Sequence, residues 1–283
     1  MARKSKKRKF KKQHRKKFLK KSFKKRKSNK KASKKQIIRS FTKPTITEFE
    51  AMIKSIKINN PGLSQEIESA FRFVDRKFFV KRTPYIDEAV HIAHGQTISQ
   101  PTTIARMLQK LELRPGLDVL EIGTNTGYHA ALVSYLVYPG EVTTCEIFPA
   151  LVENAIKNIN NFVKQIKNKE MKKRFEINII TGDALNNKNP IWNKKYDRIY
   201  FTAGISREYF SLLKEMARTL LNDDGLILFP TREFYDYGGL EVWRLKNSSL
   251  KLVSNEQGYS FVPIIRQADL EEIYRVVGAP LKK

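Results

Sequence analysis

The sequence predicts an α/β fold: a doubly wound, mainly parallel sheet with an antiparallel C-terminal edge, preceded by N-terminal helices and a basic tail. Three observations lead to it. From residue 117 onward, short apolar runs rich in β-formers alternate with runs of helical spacing, as in repeated strand–helix–strand units that bury a parallel sheet between helices. A glycine-bearing turn joins the first of these strands to its helix. Near the end the helices stop and strands follow one another, which suggests antiparallel neighbours at one edge.

The 283 residues, 41% of them hydrophobic, suffice for one large domain with a sizeable core. The formal charge of +27 is concentrated at one end: residues 1–39 hold 22 Lys and Arg and no acid, and the first acid is Glu48. Lysines this dense repel one another, and Phe10, Phe18, Leu19 and Phe23 are too few to build a core, so the segment is expected to be disordered. A solvated tail is one reading. The favoured one is a clamp on RNA or DNA, releasing a counterion at each neutralised phosphate and offering rings for stacking. An acidic membrane surface is a third partner of the same charge. The single cysteine, Cys145, excludes an intrachain disulfide and a cysteine-based metal cluster, and no metal is expected. No run approaches the roughly 18 apolar residues of a membrane span, and no apolar stretch follows the basic N-terminus as in a secretory signal. A cytoplasmic location is therefore expected.

Residues 40–116 form an expected N-terminal helical region. Ile46, Phe49, Met52, Ile53 and Ile56 lie at helical spacing over residues 45–58, with Thr47 as a cap, and the cluster Asn59-Asn60-Pro61-Gly62 ends the helix. Residues 64–74 read as a second amphipathic helix, and 78–94 as irregular. Pro101 opens a third helix, with Ile104, Met107, Leu108 and Leu111 as its apolar stripe. Residues 117–283 form the expected core. Strands are predicted at 117–122, 141–147, 175–181, 196–202 and 226–229, and helices at 128–137, 150–166 and 208–221. Strands at 240–245 and 250–254 and a short one at 261–265 close the sheet.

Residues 118–128 read Asp-Val-Leu-Glu-Ile-Gly-Thr-Asn-Thr-Gly-Tyr. Ligands of doubly wound sheets bind at the carboxyl ends of the strands, and Gly123 and Gly127 let the backbone pass close to one. Taken alone, the turn is equally a plain tight turn. No Lys follows its last glycine, so it is not a phosphate loop. Glu146 ends the second strand, placed to accept hydrogen bonds from both hydroxyls of a ribose. Asp183, in Thr181-Gly182-Asp183-Ala184, ends the third, placed to reach an adenine amino group. Each alone reads as a surface acid; together they fit an adenosine-containing cofactor. The spacing of Gly123, Asn125 and Gly127 departs from the Gly-x-Gly-x-x-Gly of dinucleotide sites.

With Glu121 before it, the turn resembles the first motif of the class I methyltransferases, acid-x-Gly-x-Gly-x-Gly, which implies a Rossmann-like fold and S-adenosylmethionine as cofactor. Further motifs narrow the resemblance. Gly95-Gln-Thr-Ile-Ser-Gln-Pro101, the turn itself, Gly182-Asp183, Tyr196-Asp197 and Phe261-Val-Pro-Ile264 are similar, in order over roughly residues 70–265, to those of the protein-L-isoaspartate O-methyltransferase family. The Thr-Ile-Ser block is the specific part. The resemblance implies methyl transfer from S-adenosylmethionine to the free α-carboxylate of L-isoaspartyl residues in damaged proteins or peptides, a repair reaction. It assigns the key hydroxyl to Ser99, which orients the carboxylate, and substrate contacts to Thr97, Ile98, Val262 and Pro263. The cofactor site it implies comprises Gln96, Glu121, Gly123, Thr124, Asn125, Gly127, Tyr128, Glu146, Ile147, Asp183 and Ala184. A carboxylate with a pKa of about 4 is already ionised at neutral pH and needs no general base, so catalysis is positioning and exclusion of water.

Ser99 also stands where an N-cap of the Pro101 helix would. His91 and His94 lie just upstream as further candidates. Asn125 replaces the middle glycine of the family's turn, and Asn is the non-glycine residue best suited to left-handed backbone. Ala184 replaces the glycine after the acid, Ser206-Arg207-Glu208 stands where the family has Ile-Pro, and the basic tail is not a family feature. Two other classes stay open. One is an RNA methyltransferase guided by the tail, although Phe201-Thr-Ala-Gly204 stands where an Asn-Pro-Pro-Tyr-type motif for exocyclic amines would. The other is a non-catalytic nucleic-acid-binding protein in which Asn125 has abolished cofactor binding.

Overall fold

Proline and glycine punctuate the chain much as expected. The computed structural model describes residues 46–233 and 237–277, so the basic segment 1–39 and its expected disorder lie outside it. Helix α1 (Ile46–Asn59) turns Met52, Ile53 and Ile56 into the core and stops just before Pro61. It begins at Ile46, so Thr47 falls inside its first turn rather than ahead of it. Helix α2 (Gln65–Phe73) is capped by Ser64, whose side chain accepts from the Ile67 N–H. The segment expected to be irregular contains a short antiparallel ladder, β1 (Val90–His91) with β2 (Thr97–Ile98). Two residues a side are too few to register as an alternating pattern. Helix α3 (Pro101–Lys110) has its proline at the first position and Gln100, not Ser99, as N-cap.

The elements of the core follow as β3 (Val119–Ile122), α4 (Tyr128–Val137), β4 (Val142–Glu146), α5 (Pro149–Val163), α6 (Lys169–Lys173), β5 (Ile177–Thr181), β6 (Tyr196–Phe201), β7 (Ile205–Ser206), α7 (Phe210–Leu220), β8 (Leu221–Arg232), β9 (Tyr237–Lys246), β10 (Ser249–Ser260) and α8 (Gln267–Val277). The sheet runs β10-β9-β8-β6-β3-β4-β5, with the short β7 beside the end of β8. Strands β3, β4, β5, β6 and β8 are parallel, and β9 and β10 form the antiparallel edge. The chain builds outward from β3 to β5, then crosses back to lay β6 on the other side of β3. That reversal opens a crevice at the carboxyl ends of β3 and β6, where ligands of such sheets bind.

Side chains alternate between two cores as the pleat requires. Val119, Tyr200, Leu226 and Leu228 face a core shared with α1 to α4. Leu120, Ile122, Ile199, Phe201, Ile227 and Phe229 face one shared with Leu213, Met216 and Leu220 of α7. Helices thus cover both faces. Three expectations need correction. Strands β8 and β10 are longer than predicted, at 12 residues each. Residues 261–265 are not a strand: one bridge joins Pro263 to Gly204, and a proline without an N–H cannot extend the ladder. Helices α6 and α8 were not foreseen.

Candidate active site

After β3 the backbone takes three positive φ angles, 97° at Gly123, 54° at Asn125 and 83° at Gly127. A Cβ on Gly123 would stand 2.1 Å from Thr202 Oγ1, and one on Gly127 2.9 Å from Ile159 Cδ1, so both positions require glycine. Asn125 holds left-handed geometry in place of the family's middle glycine. Thr202, just past β6, closes the turn from the other side by donating to the Gly123 carbonyl at 2.7 Å.

The two acids at the strand ends meet this turn. Glu146 accepts from the Asn125 N–H at 3.0 Å on one oxygen and from the Phe148 N–H at 3.2 Å on the other. Burial raises its pKa above the ordinary carboxylate value, against the pull of these backbone donors. Asp183 accepts from the Leu185 N–H at 2.9 Å on Oδ1, while Oδ2 takes Arg266 Nε at 2.7 Å and the Gln267 N–H at 3.1 Å. The carboxylate expected to face adenine therefore also docks the start of α8.

A cleft opens at the ends of β3, β4 and β5. Gln96, Gly123, Asn125, Glu146, Ile147, Asp183 and Ala184 line it, and Pro263, Ile264 and Ile265 form its far wall. Its position at the strand ends and its mixed polar and apolar lining suit a small-molecule cofactor. A second, much smaller cavity, about the size of one water molecule, is lined by Ile98, Ser99, Thr124, Thr126, Tyr128 and His129. Gly123, Asn125 and Thr202 belong to both. The site is thus two chambers joined at one turn, with Ser99 in one and the two acids in the other.

Several expected residues lie elsewhere. Glu121 lines neither chamber: it is fully buried, bonded to Thr144 at 2.6 Å and Tyr200 at 2.8 Å, and burial pushes its pKa up to about 8. Tyr128 packs its ring against Phe71 and Phe79 and reaches only the smaller cavity. Thr124 pairs its hydroxyl with that of Thr144 at 2.7 Å. Gly127 and Thr97 line neither chamber, nor does Val262, whose carbonyl accepts from the Gly204 N–H at 2.7 Å. His94 and His91 are both exposed, and His94 stacks on Phe148, a wall of the larger cleft. Thr202, Phe148 and Cys145 are lining residues that sequence reasoning missed. Burial pushes the Cys145 thiol up to about 12, so it is a wall rather than a nucleophile.

Comparison with known proteins gives one consistent family. The family model described as Protein-L-isoaspartate(D-aspartate) O-methyltransferase matches residues 47–269. A protein-L-isoaspartate O-methyltransferase of Pyrococcus horikoshii is 31% identical over 228 residues, 79% of this chain and 95% of that protein. One of Thermococcus sibiricus is 35% identical over 219 residues, 77% of this chain and 89% of that protein. Among solved structures, the PCMT of Plasmodium falciparum in complex with S-adenosyl-L-homocysteine is similar with a TM-score of 0.61 at 22% identity, covering 77% of this chain and 99% of that one. At that identity the likeness is one of fold.

Proposed function

The chain belongs to the protein-L-isoaspartate O-methyltransferase family, and from that premise we propose that it methylates the free α-carboxylate of L-isoaspartyl residues in damaged proteins or peptides, with S-adenosylmethionine as donor. The observation that carries this reading is the pair of chambers sharing one glycine turn. A donor held on one side and a carboxylate held on the other meet at Gly123, Asn125 and Thr202.

The residues present fit an adenosyl group. Glu146 lines the cleft with Oε2 on the Asn125 N–H and Oε1 on the Phe148 N–H, an acceptor suited to ribose hydroxyls. Asp183 Oδ1 keeps a lone pair for an amino group, and Ile147, Phe148 and Ile264 supply flat apolar walls. When bound, the cofactor supplies an electrophilic methyl on a sulfonium. The protein's part is to orient the carboxylate with Ser99, hold it in line over the turn and exclude water. No proton has to move, because the acceptor is already an anion at neutral pH.

We divide the chain to match: a basic tail over 1–39, residues 40–116 carrying the acceptor motif, and a cofactor-binding core over 117–283. The block of 22 Lys and Arg without an acid supports non-specific RNA or DNA contact by the tail. A cytoplasmic location suits a chain with one cysteine and, among the described residues, no helix long and apolar enough to cross a membrane.

The test offers labelled S-adenosylmethionine with an isoaspartyl peptide, its normal aspartyl twin, or bulk RNA. Label is expected on the isoaspartyl peptide alone and should be released at alkaline pH, as a methyl ester requires. Base-stable label on RNA would overturn the reading.

A further inference from the structure

Among the described residues, Arg76 is the largest side chain with almost no exposure, at 0%. It sits in the helical turn Arg76–Phe78, where Asp75 caps the turn with its side chain. Its guanidinium donates through Nη2 to the Ser99 carbonyl at 3.2 Å and lies 5.2 Å from the centre of the Tyr128 ring. Nε and Nη1 are buried without a hydrogen-bond partner. No carboxylate among the described residues forms an ion pair with it. Asp87, the acid whose charge it feels, is engaged by Ser55 and Thr102. Burial lowers its pKa, yet an arginine keeps its proton under any ordinary condition.

A buried cation held by one neutral carbonyl and one ring face is costly to the fold, and such groups are normally paired. What lies beside it gives a reason for keeping it. Ser99 and Tyr128, its two contacts, both line the smaller chamber. Tyr128 Oη, and Thr126 Oγ1 and His129 Nδ1 on two further residues of that chamber, are also buried without partners. Burial pushes the His129 pKa down to about 3, so that imidazole is neutral and Arg76 is the positive charge at this wall. An uncompensated cation and several unsatisfied polar atoms behind this side of the turn favour an anionic group, such as a carboxylate, placed against it.

We infer that Arg76 is a positioning residue for methyl transfer: it pins the Ser99 backbone and sets a positive field behind the chamber that receives the acceptor carboxylate. This rests on the isoaspartyl reading of the site. Cation and hydroxyl act together, the arginine fixing the Ser99 main chain while the Ser99 side chain orients the substrate. Exchange for lysine keeps the charge but loses the fork that reaches both carbonyl and ring.

Arg76→Met and Arg76→Lys test it, each assayed for S-adenosyl-L-homocysteine affinity by calorimetry and for kcat and KM on an isoaspartyl peptide. Arg76→Met should bind S-adenosyl-L-homocysteine within about 3-fold of wild type while kcat/KM falls about 100-fold, chiefly through KM; Arg76→Lys should recover about 10-fold of that loss. Amide exchange over residues 97–100 should rise in both variants. If Arg76→Met does not fold, the KM-weighted loss in Arg76→Lys alone carries the test. Cofactor affinity and turnover lost in equal proportion, or kcat/KM unchanged in both variants, overturns the inference while leaving the function intact. A wild-type chain inert on the peptide overturns the isoaspartyl reading, and this inference with it.

Discussion

A carboxyl group as deeply buried as Glu121, with only the hydroxyls of Thr144 and Tyr200 as partners, keeps its proton far above the ordinary range, to about 8. The unfolded chain releases that proton near the ordinary value of 4.5. Between the two values the folded state binds more protons, so stability falls as pH rises, by at most about 1.4 kcal/mol per pH unit from this group. Glu121→Gln cannot ionise. Its melting temperature should lie close to wild type at pH 5 and gain on it steadily up to pH 8, followed by thermal unfolding across that range; a constant offset would refute the account. Glu121 also shows where sequence reading stops. Its spacing before Gly123 puts it in a motif, but the pleat turns it into the helical core, away from the cleft. Glu146, the last residue of β4, and Asp183, two residues past the end of β5, were legible because both stand where a strand runs out at the rim of the sheet. Thr202 was not, since its approach to Gly123 exists only once β6 lies beside β3.

The start of helix α8 is fastened at two places. Leu270 packs with Phe148 and Leu151 in a cluster separate from the two main cores, and Arg266 and the Gln267 N–H fasten its start to Asp183. An element docked this way opens without global unfolding. Leu270→Ala should therefore leave the melting temperature within about 2 °C of wild type, raise amide exchange over residues 267–272 about 10-fold, and weaken S-adenosyl-L-homocysteine binding several-fold through Phe148. Loss of cooperative folding instead would show that α8 belongs to the main core. A signal for this helix was present in the sequence: Asp269 stands three residues after Arg266, and its carboxylate accepts from that residue's N–H at 2.9 Å, as in a capping box. An apolar stripe was present too, in Leu270, Ile273, Tyr274 and Val277 at helical spacing. Helices α5 and α7 were legible from their amphipathic spacing, whereas α4 and the central strands, buried on all sides, read as continuous apolar runs between turn residues. The bridge at Pro263 was not, because its single partner is set by tertiary approach.

Across the whole molecule, charge and chemistry are separated along the chain. The block of 22 cationic residues precedes the first acid, whereas the two chambers draw on residues 96 to 265. Removing residues 1–39 should flatten the salt dependence of RNA binding and leave peptide methylation largely intact. RNA affinity that does not change on truncation would refute nucleic-acid contact by the tail. The fold class was legible at this scale because alternating strands and helices admit few arrangements. The junction of the chambers was not, because sheet order decides it. That order has a temporal side as well. The chain leaves the ribosome N-terminus first, so Ser99 and the glycine turn emerge well before residues 263 to 265 can wall the cleft. A nascent chain holds the pieces for methyl transfer while lacking the enclosure that makes them an enzyme, and competence arrives only with the last stretch of the wall.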